Sequence, residues 1–202
     1  MKIALIGASG NVGSRVLAEL SSRGHQITAI ARDTARIADL PGVTPIALDM
    51  ADTAALVAAL KGHDVVVSSV HFMVSDPEQL ISAVKSSGVP RYLVVGGAGS
   101  LLVAPGVQLV DTPQFPEAYL PEARAGGVFL GRLRAEKDLD WTFLSPSALF
   151  IPGERTGKFR LGKDDLLTND QGSSISFEDY AIAMADEIET PKHPRERFTV
   201  GY

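Results

Sequence analysis

Seven residues constrain this chain more than any other stretch: Gly7-Ala8-Ser9-Gly10-Asn11-Val12-Gly13, set directly after the apolar run Lys2 to Ile6 and directly before an amphipathic stretch, Ser14 to Arg23, closed by Gly24. Strand, glycine turn and helix open a βαβ unit, and the start of such a helix offers free backbone N–H groups and the positive end of the helix dipole to an anion. Gly7 and Gly10 suit a tight reversal that lets phosphates approach the backbone, and Gly13 suits close packing of helix on strand. The spacing is Gly-x-x-Gly-x-x-Gly, with Ser9 where the dinucleotide fingerprint has its second glycine, so it is a variant of that fingerprint. A tight turn with no ligand is the alternative. The strand before, the helix after and a second strand at Gln26 to Ala31 favour the dinucleotide site.

The same alternation continues along the chain. Apolar runs at Thr44 to Leu48, Asp64 to Val70, Arg91 to Gly96, Trp141 to Ser145 and Arg197 to Gly201 read as strands, several apolar on consecutive positions, as in Val65-Val66-Val67 and Leu93-Val94-Val95. Strands of that kind are covered on both faces, which points to a parallel sheet. Helix signals fall between them: Asp52 ahead of Thr53 to Lys61; Asp76-Pro77-Glu78-Gln79 as cap, N1 proline and capping-box glutamine, ended by Gly88; Pro121 opening a helix that reaches Lys137; and Ser176-Phe177-Glu178-Asp179 opening one to Glu189. The expected fold is a doubly wound α/β Rossmann domain over residues 1–202. Its strand order is 3-2-1-4-5-6 with a short seventh strand at Arg197 to Gly201. Segments 97–120 and 146–174 fit no regular element; connections of that length are often binding loops, so they are expected to form a small substrate lobe.

Composition removes several function classes. There are no cysteines, which excludes thiolate metal sites, iron-sulfur clusters and a cysteine nucleophile, so redox chemistry has to come from a bound cofactor. The 19 basic and 24 acidic side chains give a formal net charge of −5 with no basic run, the wrong footprint for nucleic acid. No apolar stretch is long enough for a membrane span or a signal peptide, and the cytoplasm is the expected location. His25, His63 and His193 fall at turns without metal-ligand spacing. The motifs of serine esterases, zinc proteases and P-loop NTPases do not occur, and Gly162-Lys163 is a coincidence in a loop.

The end of the second strand bears on which nicotinamide cofactor binds, because a carboxylate there bonds a ribose 2′-hydroxyl and repels a 2′-phosphate. The strand ends Ala29-Ile30-Ala31-Arg32-Asp33. A guanidinium at Arg32, beside small neutral Ala31, grips a phosphate through two hydrogen bonds and stacks on adenine, which favours NADP(H). NAD(H) is the alternative if Asp33 turns inward or Arg32 is only a solvated charge.

On these residues the chain resembles the short-chain dehydrogenase/reductase superfamily, in its atypical branch of small NAD(P)H-binding, NmrA-like or NADH-flavin reductase-like proteins, related to biliverdin-IXβ/flavin reductase. The resemblance covers essentially the whole chain. It is carried by Gly7 to Gly13, Asp49 after the third strand, Val94-Val95-Gly96-Gly97-Ala98-Gly99-Ser100-Leu101, Leu139-Asp140-Trp141-Thr142-Phe143-Leu144-Ser145-Pro146 and Ile175-Ser176-Phe177-Glu178-Asp179-Tyr180-Ala181. It implies that Asp49 and Met50 contact adenine, that Ser68, Ser69 and Val70 line the middle of the cofactor, and that Gly96, Gly97, Ala98 and Ser100 sit beside the nicotinamide, with Ser145 and Pro146 among the cofactor contacts. Read for themselves, Asp49 could equally cap a loop, and Ser68 and Ser69 could be small residues packed at a strand end.

The chain departs from the superfamily at its acid-base pair. Tyr-x-x-x-Lys is missing: four residues after Tyr92, Tyr119 and Tyr180 stand Gly96, Ala123 and Met184, and Tyr202 is followed by nothing. Lys137 suits the carboxyl end of its helix, a structural place for a cation. The expected chemistry is therefore hydride transfer to a small planar acceptor that needs little acid catalysis, such as a flavin, quinone or linear tetrapyrrole, by a monomer or homodimer. Ser100 and His71 are the candidate catalytic side chains, His71 being equally readable as a packed or solvated loop residue. Phe72, Phe115, Tyr119 and Phe150 are candidates for stacking the acceptor, though each could be ordinary core. The alternative is a non-catalytic NmrA-like redox sensor that acts through a protein partner.

Overall fold

Alternation of apolar residues decides the layers. In a computed structural model describing residues Met1 to Tyr202, the strand β1 (Lys2–Ile6) sends Ile3 and Leu5 to one face of the sheet and Ala4 and Ile6 to the other, and β4 (Val65–Ser68) splits its valines likewise. Both faces are buried, which accounts for apolar residues at consecutive positions. On one face α1 (Asn11–Ser22) and α5 (Phe177–Glu189) cover a core that includes Leu5, Leu17, Leu93, Tyr180 and Phe198. On the other, α2 (Thr53–Leu60), α3 (Pro77–Ser87) and α4 (Leu120–Ala135) cover Ile6, Leu60, Tyr92, Phe129 and Phe143.

The remaining strands are β2 (Gln26–Ala31), β3 (Val43–Ala47), β5 (Arg91–Val95), β6 (Leu102–Ala104), β7 (Val107–Gln108), β8 (Asp140–Pro146), β9 (Leu149–Ile151), β10 (Arg160–Gly162), β11 (Ser174–Ser176) and β12 (Glu196–Gly201). The central sheet runs β10-β12-β8-β5-β4-β1-β2-β3 and is parallel except for β10, which lies antiparallel on β12. Seven of its strands therefore have the expected order, with the switch of direction between β1 and β4. The eighth, β10, falls inside a segment expected to be irregular. So do β6, β7 and β9, which form two small sheets, β6-β7 and, with β11, β9-β11.

Helix ends follow the side chains that cap them. Asp52, Asp76 and Ser176 accept backbone N–H bonds from Ala55, from Glu78 and Gln79, and from Asp179, and Gly88 closes α3 in the left-handed conformation with φ of 75°. One expectation fails in detail. Gln79 does not reach back to Asp76 as a capping-box residue; its amide donates to the carbonyl oxygens of Met50 and Ala51 and to Thr53 Oγ1, and so holds the turn after β3 against α3. The amino ends of the strands carry a buried ionic cluster. Glu187 accepts from Arg91, from His193 Nδ1 and from the backbone of Lys192 and His193, while Arg91 also pairs with Asp140.

Candidate functional site

The glycine turn is built so that no side chain fits where the chain folds back on itself. Gly7 has φ of +82°, and a Cβ there would stand 2.1 Å from the Ser69 carbonyl oxygen; one at Gly13 would stand 2.1 Å from the Gly7 carbonyl oxygen. Gly10 is the N-cap of α1 and offers no side-chain acceptor, so the first N–H groups of the helix remain without a side-chain cap. Gly10, Asn11 and Val12 line a cleft of about 880 Å³. A dinucleotide pyrophosphate fits this arrangement: the backbone is bare, close and positively polarised at the helix start.

From the turn the cleft runs along the carboxyl ends of β4, β5 and β8, past Ser69, Val70, Gly96, Gly97, Ala98, Ser100 and Pro146, to a rim of Phe72, Phe115, Tyr119 and Phe150. All four aromatic candidates are thus brought together. Phe72 packs at 5.4 Å from Phe129 and 6.0 Å from Phe143, so its ring joins the rim to the core. Phe150 lies edge-on to Phe177 at 4.6 Å. His71 stands at the mouth with its side chain 85% exposed and Nδ1 3.4 Å from Glu122 Oε1. Apart from His71, Glu122 and the phenol of Tyr119, no ionisable side chain lines the cleft.

Two expected cofactor contacts are buried away from it. Ser68 is buried, its Oγ 2.8 Å from the Tyr92 hydroxyl between neighbouring strands, and Ser145 is wholly buried behind the wall with its Oγ 3.5 Å from the Arg197 guanidinium. In both cases strand alternation turns the side chain into the sheet layer, whereas Ser69 and Pro146, one residue on, reach the cleft. Arg32, Asp49 and Met50 lie beyond the cleft lining, at the ends of β2 and β3. Arg32 is exposed, and Asp33 beside it is engaged locally, accepting from Ala35 N at 2.9 Å. Asp49 caps its own turn by accepting from Ala51 N at 3.0 Å.

The four tyrosines are placed as follows. Burial pushes the Tyr92 and Tyr180 hydroxyls well above the usual phenol range. Tyr180 donates to the Leu144 carbonyl oxygen at 2.7 Å and accepts from Gly96 N at 3.3 Å, tying the ends of β5 and β8 together beneath the cleft floor. Tyr202 bonds Ser176 and Asp179. Tyr119 is the one tyrosine in the cleft wall, and no lysine accompanies it there.

Two residues escaped the sequence reading. Glu122, in the first turn of α4, accepts from Phe72 N at 2.7 Å and Met73 N at 3.0 Å and clamps the rim loop after β4; the nearby Pro121 had signalled only a helix start. Arg197 is a cation inside an otherwise apolar strand pattern, and it is 6% exposed, beside Asp164 and Ser100. Burial pushes its guanidinium below the usual arginine value, opposed by Asp164. A charge in a buried strand was the available signal.

Comparison with known proteins gives a consistent picture. The model of a family described as NAD(P)H-binding matches residues 7–191. The uncharacterized protein YwnB of Bacillus subtilis (strain 168) is 44% identical over 212 residues, covering 99% of this chain and 98% of YwnB. A crystal structure from Bacteroides thetaiotaomicron, of a protein provisionally named an epimerase, is 45% identical with a TM-score of 0.95 and covers 100% of this chain and 96% of that one. Another from Streptococcus pneumoniae, provisionally named an NADH-flavin reductase, is 36% identical with a TM-score of 0.83 and covers 100% and 99%.

Proposed function

We propose, since the chain belongs to the NAD(P)H-binding family, that it is an NADPH-dependent reductase of uncharged planar acceptors, a quinone or a flavin ring. The observation that carries this reading is the cleft itself: it begins at the uncapped start of α1 and ends at an aromatic rim, with no lysine or arginine in its wall. A cleft with that lining favours stacking and apolar burial of a flat molecule and gives an anionic one no partner. The carboxylate arms of a linear tetrapyrrole would meet no lysine or arginine there.

The chain's residues divide the work by position. The backbone from Gly7 to Gly13 binds the pyrophosphate, and Arg32, exposed where the adenosine ribose is expected, favours a 2′-phosphate. Asp49 and Met50 flank the adenine and Ser69 and Val70 the middle of the cofactor, while Gly96, Gly97, Ala98 and Pro146 wall the nicotinamide end. A bound NADPH would supply a hydride, that is two electrons and one proton, and the second proton of the reduced acceptor would come from water. Phe72, Phe115, Tyr119 and Phe150 orient the acceptor, and Ser100 donates a hydrogen bond to its heteroatom. Orientation and exclusion of water do most of the catalysis, in keeping with the lack of a phenol-lysine pair.

The test is a panel of quinones, flavins and tetrapyrroles with the purified protein, following NADPH absorbance at catalytic protein levels. Turnover of menadione or riboflavin is the expected result. Tight NADPH binding without turnover of any acceptor would overturn this reading in favour of an NmrA-like sensor.

A further inference from the structure

Ser100 sits in the cleft wall, and behind it, outside the cleft, lies a buried cation. Arg197 projects from β12 on the sheet face covered by α4, opposite the side of Phe198 and Val200. Its NH1 is 3.3 Å from Ser100 Oγ and its NH2 is 3.5 Å from the Ser100 carbonyl oxygen. Asp164 fixes the other side of the guanidinium, accepting from Nε at 2.8 Å and from NH2, and itself pairs with the exposed Arg134. The backbone of Leu102 in turn donates to the Asp164 carbonyl oxygen at 2.8 Å, so the loop carrying Ser100 and the loop carrying Asp164 meet on this one arginine.

A guanidinium has donors and no acceptor. A hydroxyl that accepts from it has one lone pair engaged and must direct its own proton elsewhere, and Ser100 Oγ has the cleft before it. We propose that Arg197 is a positioning residue for the reduction: it holds Ser100 as an acceptor on its buried side so that the Ser100 proton points into the cleft, toward the acceptor atom on which negative charge gathers. The cation also polarises that hydroxyl from a low-dielectric site, where a charge acts more strongly than in water. The arrangement accounts for a buried cation in a sheet strand and needs no residue that titrates near neutrality.

This inference rests on the proposed reductase reading, and a double-mutant cycle separates the two. Ser100→Ala, Arg197→Met and the double variant are compared for menadione reduction with NADPH, and for riboflavin binding to the NADP⁺ complex by fluorescence quenching. Each single variant is expected to lower kcat about tenfold with KM for NADPH unchanged and to weaken riboflavin severalfold, and the double variant to be no worse than either single one. Arg197→Lys, which keeps a buried cation, should recover part of the loss and carries the test if Arg197→Met fails to fold. Losses that add in the double variant (Ser100→Ala with Arg197→Met, or with Arg197→Lys where the Met variant does not fold), or an Arg197→Met protein equal to wild type with Ser100→Ala impaired, would overturn the positioning role. Absence of wild-type turnover would sink the reductase reading alone, because coupling between the two residues in riboflavin binding would still be read. Absence of riboflavin binding as well would overturn both.

Discussion

The two ends of the central sheet are made from the same strands and put to opposite uses. At the amino ends, charged side chains are buried and spent on one another: Glu187, 3% exposed, receives hydrogen bonds from Arg91, His193 and two backbone N–H groups, and the His193 ring stacks on Phe198 at 4.0 Å. At the carboxyl ends, the polar groups are mostly backbone and left open, and the cleft wall has almost no charge of its own. Most polar groups at the amino end are committed to one another, Arg91 Nε, Asp140 Oδ1 and Trp141 Nε1 being buried exceptions, and they serve stability. An end with uncommitted donors can hold a ligand, because the ligand completes what folding left undone.

The largest test of this contrast is Glu187→Ala. Removing the carboxylate leaves Arg91 buried without its principal partner, a change that costs ~3–5 kcal/mol. For a chain of this size that lowers Tm by roughly 10 °C or more, and calorimetry should show it while NADPH affinity per folded molecule is unchanged. Gly10→Val should do the reverse. A Cβ there is 3.3 Å from the Gly7 carbonyl oxygen, close but tolerable for the fold, and its branches would stand over the helix start. NADPH titration should show a loss of about a hundredfold, ~2.7 kcal/mol, with little change in Tm.

A third substitution, Arg32→Ala, divides the carboxyl end itself. It should weaken NADPH relative to NADH by ~1.5–3 kcal/mol, the worth of a charge-assisted contact; equal losses would remove Arg32 from the 2′-phosphate. Acid probes the flank between the two ends. Hydrogen bonds from Arg155, then Arg23, hold Glu19 below its usual pKa against the opposing effect of burial. With the folded value the lower one, the stabilisation is complete above about 4.5 and is lost as pH falls through the folded value. Urea midpoints should therefore drop in acid, and less steeply in Glu19→Gln. The smallest effect should come from the acceptor's charge: riboflavin over FMN by ~1 kcal/mol or less in kcat/KM, since the phosphate finds no cation in the wall and the nearby Glu122 is partly screened by water.

The amino-acid sequence announces structure held by local interactions far better than structure held by contacts distant along the chain. Helix starts at Asp52, Asp76 and Ser176 were legible because a cap is a local interaction between neighbours in the chain. The order of seven strands was legible because a glycine turn at the first βα junction and doubly buried valine runs leave few topologies. The strand β10 was not, since three residues, Arg160-Leu161-Gly162, carry no periodicity and pair with Thr199 to Gly201 far along the chain. Ser68 and Ser145 show the same limit at the scale of one residue. Which of two adjacent positions faces a cleft depends on strand phase, and a strand boundary uncertain by one residue reverses it. Glu122 and Arg197 act across 50 and 97 residues, so no local pattern could place them.

The small sheets β6-β7 and β9-β11 stand outside the ladder of the central sheet. Their register can change without disturbing the register of any strand beneath the cofactor turn. Within a lineage, then, the acceptor side is free to drift while the nucleotide side is held by steric necessity at Gly7 and Gly13. On the proposed reductase reading, relatives with nearly superimposable backbones should accordingly diverge in acceptor well before they diverge in nucleotide. Transplanting residues 97–120 and 146–174 between two such relatives should carry acceptor preference with the graft and leave nucleotide affinity with the host.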